Sequence, residues 1–585
     1  MIKILTIAGK KRWSWIIFSI ILLATEISLT FTIPFLARTL LGEVGKIPNV
    51  NRDVINLNLS LFIVVIVIDA FLFLSSSLII IKVATDFSGF LRSKLFEKIQ
   101  NFSAADIDKF TQSSLLTRIT TDTKQIESGL ILLLNWLPWG IFVLSGGIVS
   151  GLILSLDLSI ILAIVIPFII IFVIVLFFKS LPWFSKMQKS IDEINKNTKE
   201  NILGVRIIKS FNLQESEKQK FFAKSQILSK NSFNGNVIIS LAAPFIDLII
   251  NLSIVSLIWI GSAFIPNKVN ELVIPYVQIL QLILFGLATI VFVIKGLSSS
   301  IAPAHRVFEV IKHKPAISYG LKDEKIKQAK IKFDSLYFKY FENSEDYVLE
   351  NISLEIKPGQ TIGFIGPSGS GKSSLAALLT REYDPIKGQI LINDENINVF
   401  SKRALNRNIA YASQKPILLN GTIRENISFG LEDEELKSKN FEALLIESAK
   451  NAEAWEFIEK RKLQLEEKIN QRGTNLSGGQ KQRVSLARTF IKRAKILVLD
   501  ESTSALDNFT EQRIQETLKQ KKDTSVIIIS QKINSIKNAD QIFVLDKGKI
   551  INFGKHRDLL KNNEFYREIA ISQLGHEEVN KDMNF

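Results

Sequence analysis

Apolar and polar positions divide the chain near residue 295. Before it lie six apolar stretches: Trp13–Leu36, Leu57–Ala84, Leu130–Leu156, Ser159–Leu181, Val237–Phe264 and Glu271–Ile294. Each has the roughly 20 residues a helix needs to cross a bilayer. One such run could be a buried core helix, but six in one half leave that reading little room. The second and fourth runs continue into stretches with helical periodicity, Phe90–Gln100 and Asn197–Phe222. They predict helices that reach beyond the bilayer and can carry force. Short transverse segments at Ala104–Phe110 and Ile207–Gln214 are placed to dock on a cytoplasmic domain. The remainder reads as an α/β domain, with strands at Ile331–Phe338 and Gln360–Ile365 and a helix beginning at Ser373–Leu379.

A chain of 585 residues should hold more than one domain. We divide it into a transmembrane domain at 1–312, a linker at 313–329, an α/β domain at 330–572 and a polar C-terminal tail at 573–585. The mean hydropathy of +0.21 averages two unlike halves. The absence of cysteine excludes disulfides and thiol chemistry, and four histidines without ligand spacing argue against structural zinc. The net charge of +15 reflects lysines beside membrane spans and a basic surface, with no nucleic acid as partner.

Lysine and arginine placement sets the orientation. Lys3, Lys10, Lys11 and Arg12 precede the first span. Arg92, Lys94, Lys98, Lys109, Arg118 and Lys124 follow the second, and Lys186 to Lys230 follow the fourth. The turn after the third span has Asp157, and the turn before the sixth has Lys268. Arg38, Lys46 and Arg52 between the first two spans run against the trend without reversing it. The expectation is a multi-pass cell-membrane protein with its N-terminus and its α/β domain in the cytoplasm. The N-terminus lacks a signal-peptide cleavage pattern, so the first run reads as an uncleaved span.

Glu26, Asp69, Asn135, Asp247, Asn251, Gln278 and Gln281 fall inside the predicted spans. Such residues are costly in lipid and face a bundle interior or wet cavity. Two readings stand: an acidic lining for cationic amphiphiles, or interhelical hydrogen bonding.

The chemistry lies in three motifs. Gly366-Pro367-Ser368-Gly369-Ser370-Gly371-Lys372-Ser373 is a phosphate-binding loop between a strand and a helix, continued by Ser374. Backbone N–H groups and the helix N-terminus suit anionic phosphate there. Lys372 is placed for the β- and γ-phosphates and Ser373 for Mg²⁺. Ile496–Leu499 is an apolar strand leading into Asp500, which could hold the Mg²⁺ shell, and Glu501, which could polarise an attacking water. Leu476-Ser477-Gly478-Gly479-Gln480 precedes it and Ser504-Ala-Leu-Asp507 follows.

This combination resembles the ATP-binding-cassette exporters, specifically half-transporters with six spans fused to one cassette. The resemblance covers nearly the whole chain. It implies an α-helical six-span domain with long intracellular helices and an α/β P-loop ATPase, with ATP and Mg²⁺ as cofactors. It also implies Tyr340 as the aromatic stacking on adenine and Gln414 as a glutamine sensing Mg²⁺ and contacting the docking helices. Ser477, Gly478, Gly479 and Gln480 would meet the γ-phosphate held by an opposing cassette, and Asp507 would cross the dimer interface. Lys372 and Ser477 of one chain then serve different nucleotides.

Two positions depart from the family. Gln531, after Ser525–Ser530, stands where the family usually has a histidine that contacts the γ-phosphate and orients the catalytic groups. An amide can donate to phosphate but cannot relay a proton. Gln471 stands where an acidic residue is usual, which bears on the contact between cassette and intracellular helices. The expected function is ATP-driven export of an amphiphilic or hydrophobic substrate, of multidrug or lipid type, by one half of a dimer among membrane lipids. A heterodimer is favoured over a homodimer because Gln531 weakens the site built on Lys372, whereas the retained Glu501 argues against a fully degenerate site. The alternatives are a homodimeric lipid or peptide exporter and an ATP-gated regulatory membrane protein.

Overall fold

The computed structural model describes residues 10–44, 51–264, 269–341 and 344–584. Lys3, Lys46 and Lys268, used above for orientation, lie outside them. The chain forms two compact units. One takes the chain up to Gln100 together with Ser113–His313, and the other takes Asn101–Gln112 together with the chain from Lys314. The expected membrane domain at 1–312 is therefore interrupted: a twelve-residue insert belongs with the second unit.

The first unit is helical. α1 (Lys10–Thr30) and α2 (Thr32–Val44) make the first span, broken at Phe31. Pro34 explains the break, since it cannot donate to the carbonyl of Thr30. α3 (Arg52–Gln100) runs 49 residues without interruption. The short α4 (Ala104–Phe110) falls in the insert, and α5 (Gln112–Leu154) follows as one run with two π-turns. α6 (Leu156–Leu203), α7 (Val205–Ser210), α8 (Gln214–Ser240), α9 (Ala242–Phe264) and α10 (Val269–Lys312) complete the unit. Among the described residues, six helical runs are long and apolar enough to cross a membrane. Each takes in most of one predicted stretch. The periodicity of Phe90–Gln100 is the end of α3. The helix expected through Asn197–Phe222 instead stops at Leu203, where Gly204 caps it at φ −90° and ψ 8°, and Asn212 turns the chain at φ 53°.

Polar groups stitch these helices together. The Thr30 hydroxyl donates to Asp69 Oδ1 at 2.7 Å, Asn135 Nδ2 to Ser77 at 3.3 Å, and the Tyr276 hydroxyl to Ser159 at 3.0 Å. Asn251 donates to its own helix, at the carbonyl of Asp247, 2.8 Å away. Near the ends of α5 and α10, Arg306 grips buried Asp122 through two nitrogens at 2.8 and 2.6 Å, and Arg118 reaches Glu309 at 2.9 Å.

The second unit is α/β. β1 (Ile331–Phe338), β2 (Leu349–Ile356), β4 (Lys387–Ile392) and β5 (Glu395–Asn396) form a four-stranded sheet in the order β2-β1-β4-β5. β1 alternates buried and part-exposed positions, as a half-covered antiparallel strand should. A six-stranded sheet has the order β12-β11-β3-β10-β9-β6, from β3 (Thr361–Ile365), β6 (Ile409–Ala412), β9 (Ile496–Asp500), β10 (Ser525–Ile529), β11 (Gln541–Asp546) and β12 (Lys549–Gly554). β9 and β10 are buried at every position, the signature of parallel strands covered on both faces. A two-stranded pair, β7 (Gly421–Thr422) and β8 (Lys468–Ile469), stands apart.

The structure adds detail to two expected segments. The linker at 313–329 has no regular element, yet it packs on the unit, with Ile317, Ile326 and Ala329 buried and Lys322 bridged to Phe400. The polar tail at 573–585 is structured: a helix over Glu564–Leu574 runs into it, and His576–Asn584 is a further helix. Its composition hides two apolar anchors four residues apart, Val579 and Met583, and buried Val579 joins the core.

Candidate functional site

Strand register assembles the site. β10 lies between β3 and β9, with Ile529 opposite both Phe364 and Asp500, and Ala412 of β6 lies opposite Leu499. All four strands are parallel, so the residues just beyond them emerge at one edge. That edge brings together the loop Gly366–Lys372, Gln414, Asp500, Glu501 and Gln531, which are scattered over 166 positions of sequence.

The loop wraps its own lysine. Lys372 Nζ donates to the carbonyls of Gly366 at 2.9 Å and Pro367 at 2.8 Å, and to Ser370 Oγ at 3.2 Å. Glycine is required at 371, which caps the helix α11 (Lys372–Leu379) at φ 98°; a Cβ there would come within 2.6 Å of Leu349 and 2.9 Å of the Val348 carbonyl. Burial pushes the Lys372 ammonium below its usual range, against the pull of Glu501 and Asp500. Burial likewise raises Asp500, opposed by hydrogen bonds from Ser373 and Tyr411.

Asp500 and Glu501 are divided in role by their partners. Ser373 Oγ donates to Asp500 Oδ1 at 3.1 Å, and the Tyr411 hydroxyl to Oδ2 at 3.3 Å. These are hard oxygens beside the phosphate loop, a donor set that fits Mg²⁺ completed by phosphate oxygens. Glu501, at φ 44°, is held by two amides: Gln414 Nε2 at 2.6 Å and Gln531 Nε2 at 2.7 Å. The amide of Gln414 thus faces Glu501, while its oxygen remains available as a ligand.

Other expected residues sit apart from this edge. Ser477 caps the helix α12 (Gly478–Ile491) in a reciprocal box with Gln480, at 3.3 and 3.1 Å. Ser477 and Gly478 are exposed at that helix N-terminus, and among the described residues no hydrogen bond joins them to the phosphate loop. Asp507 caps α13 (Asn508–Lys519) through Thr510, which holds its carboxyl below the ordinary range. Tyr340 is partly exposed, bonded to Ser374 Oγ at 2.9 Å, and meets Tyr383 edge-on with centroids 5.1 Å apart. Pro367, Ser368 and Gly369 complete the loop and are part of its exposed or carbonyl-lined rim.

Three participants escaped the sequence. Tyr411 lies three residues before Gln414 and belongs to no motif, yet its hydroxyl reaches Asp500. Tyr383 donates to Asp108 of α4, and Asp106 accepts from the backbone N–H of Ala316 at 3.1 Å, which ties the insert to the unit. Gln573 donates to the carbonyl of Gln531 at 2.7 Å and accepts from the N–H of Ile533 at 2.8 Å. It sits where a polar tail was expected, and no sequence signal marked it. The segment 207–214 lies in the first unit with Ile207, Phe211 and Leu213 exposed.

Residues 15–286 match the family model for the ABC transporter transmembrane region, and residues 349–504 match the model for ABC transporters. An uncharacterized ABC transporter ATP-binding protein of Bacillus subtilis, YfiB, is 31% identical over 498 residues, 85% of each chain. The ATP-dependent lipid A-core flippase of Alkalilimnicola ehrlichii is 32% identical over 387 residues, 66% of this chain and 65% of its own. A solved bacterial Atm1-family ABC exporter with ATP bound shares the fold, with a TM-score of 0.80 at 23% identity over 96% of this chain and 99% of that one.

Proposed function

Because this chain belongs to the ABC transporter family, as an exporter-type half-transporter whose cassette couples ATP hydrolysis to transport, we propose that it exports an amphiphilic or hydrophobic substrate as one half of a dimer. The observation that carries the reading is Glu501, held between two amides beside a complete phosphate loop on a chain that also carries six membrane-length helices. Relatives named as lipid A-core flippases favour an amphiphilic cargo.

ATP would enter with its triphosphate replacing the loop carbonyls around Lys372 and its adenine against Tyr340. Mg²⁺, held by Ser373 and Asp500 with Gln414 alongside, would neutralise charge on the phosphate oxygens. Glu501 would accept a proton from the attacking water, and the two amides fix its direction. Ser477–Gln480 and Asp507 would serve the nucleotide of the opposing cassette. Closure of the paired cassettes would reach the spans through α4 and the exposed segment 207–214, with the N-terminus and cassette on the cytoplasmic side.

Gln531 supports an unequal pair: its amide orients Glu501 but cannot carry a proton. The second reading is a homodimer with two slower sites, favoured by the presence and orientation of Glu501. Purification of the tagged full-length chain, followed by ATPase assay and ATP-dependent uptake of a fluorescent amphiphile into inside-out vesicles, tests both. Recovery of a second half-transporter supports the heterodimer. If E501Q silences all hydrolysis while that complex still forms, the weak-site reading fails. Ion conductance without uptake would overturn export.

A further inference from the structure

Interhelical hydrogen bonding accounts for Asp69 and for the Nδ2 of Asn135 but not for Glu26. This carboxyl lies on α1 inside the first span, only 5% exposed, and its Oε2 has no hydrogen-bond partner. One turn further on, Thr30 donates to Asp69 of α3, which sets both acids on the α1–α3 seam, close enough to interact electrostatically. Trp139 of α5 lies close enough to Glu26 to interact with its carboxyl, although its indole N–H makes no hydrogen bond of full geometry. The Trp139 ring stands edge-on to Phe285 of α10, with centroids 5.5 Å apart at 86°.

Among the described residues, no lysine or arginine of α1, α2 or α3 lies within two turns of either acid. The nearest lysine or arginine along α1 and α2 is Arg38, twelve residues from Glu26, and along α3 it is Lys82, thirteen from Asp69. At 1.5 Å per residue those separations are roughly 18 and 20 Å. A buried carboxylate without a partner is costly in an apolar bundle, and a pair is more so. A cation brought from outside removes that cost, and an aromatic face beside it adds attraction to both its charge and its apolar body.

We propose that Glu26 and Asp69, flanked by Trp139 and Phe285, form a binding site for an amphiphilic organic cation. The site rests on the export reading and narrows its cargo. The carboxylates select the charge, and the rings of α5 and α10 receive the hydrophobic substituents.

The test compares two probes of one shape and opposite charge, tetraphenylphosphonium and tetraphenylborate. Saturable binding to the purified full-length transporter in detergent is measured against protein-free micelles. The wild type should bind the phosphonium at least about tenfold more tightly than the borate. The double variant E26Q/D69N should lose about tenfold of that affinity. Equal affinity for the two probes, or a double variant that still binds phosphonium within about twofold of wild type, overturns the site. The wild-type comparison decides alone if the variant does not fold. ATP-driven uptake of fluorescent amphiphiles, one cationic and one neutral, into inside-out vesicles separates the two readings. Uptake without charge-selective binding overturns the site and leaves export standing. Charge-selective binding without any ATP-driven uptake overturns export and leaves the site.

Discussion

Removing the Gln531 side chain should slow ATP hydrolysis at this chain's phosphate loop about tenfold. Glu501 is aligned by two hydrogen bonds, from Gln414 at 2.6 Å and Gln531 at 2.7 Å. A hydrogen bond to a charged group contributes about 1.5–3 kcal/mol, and each 1.36 kcal/mol in the barrier is roughly a factor of ten. Both amides are exposed, so solvent replaces part of the lost bond and the lower end of that range applies to Q531A. The loop around Lys372 is untouched, so the KM for ATP should stay within about twofold of wild type. Q531H restores a group able to relay a proton and should raise turnover above wild type. Q531E sets a second carboxylate against Glu501 and should fall below Q531A, because like charges at this distance raise each other's proton affinity. Steady-state ATPase assays on the full-length protein read all three. In a two-subunit complex the partner's catalytic glutamate is changed to Gln, so that only this site reports. A Q531A variant with wild-type kcat, or a Q531H variant slower than wild type, would refute the claim that this residue limits the site.

K372A should abolish nucleotide binding at this chain's own loop, read by photolabelling with azido-ATP; normal labelling would remove the phosphate-loop assignment. Q573A should lower kcat with little change in the KM for ATP, because Gln573 holds the backbone of the Gln531 loop from both sides and touches no nucleotide group. An unchanged kcat across the pH range would assign Gln573 to packing alone. Burial holds the His556 imidazole below its ordinary value, against Asp582, which pulls it up. The folded state therefore binds fewer protons than the unfolded one. Stability is complete above the unfolded value, near pH ~6.5, and is lost as pH falls through and below it. The cassette's melting midpoint should drop between about pH 7 and 5, and H556Q should flatten that slope.

The six spans were legible because their lengths and apolar runs exceed anything a soluble core needs, and the site because glycine spacing and an apolar strand ending in two acids have few other uses. Helix ends were less so. The stop at Leu203 depends on Gly204 in a stretch whose periodicity continues past it, and periodicity alone does not register a single capping residue. The C-terminal helix was hidden because two anchors, Val579 and Met583, are outnumbered by polar neighbours. Contacts made only through backbone atoms left no trace: Gln573 meets a carbonyl and an N–H, groups that every residue has, so nothing in its neighbours' identities pointed to it. Pairings between distant side chains, such as Tyr411 with Asp500, depend on strand register that the sequence does not carry.

The insert at Asn101–Gln112 has a consequence for how the chain matures. These residues leave the ribosome about two hundred positions before Lys314, yet they complete the cassette unit through Asp106 on Ala316 and Asp108 on Tyr383. Closing so distant a contact is slow compared with local pairing, so the insert must wait for Lys314 and the residues after it while four further spans are synthesised. A fragment that starts at residue 314 discards it altogether. Such a fragment would leave the Ala316 N–H and the Tyr383 hydroxyl without these partners, and its solubility and ATPase behaviour would describe an incomplete cassette. Supplying the twelve residues as a separate peptide, or splicing them ahead of Lys314, is the natural way to make the catalytic half stand alone.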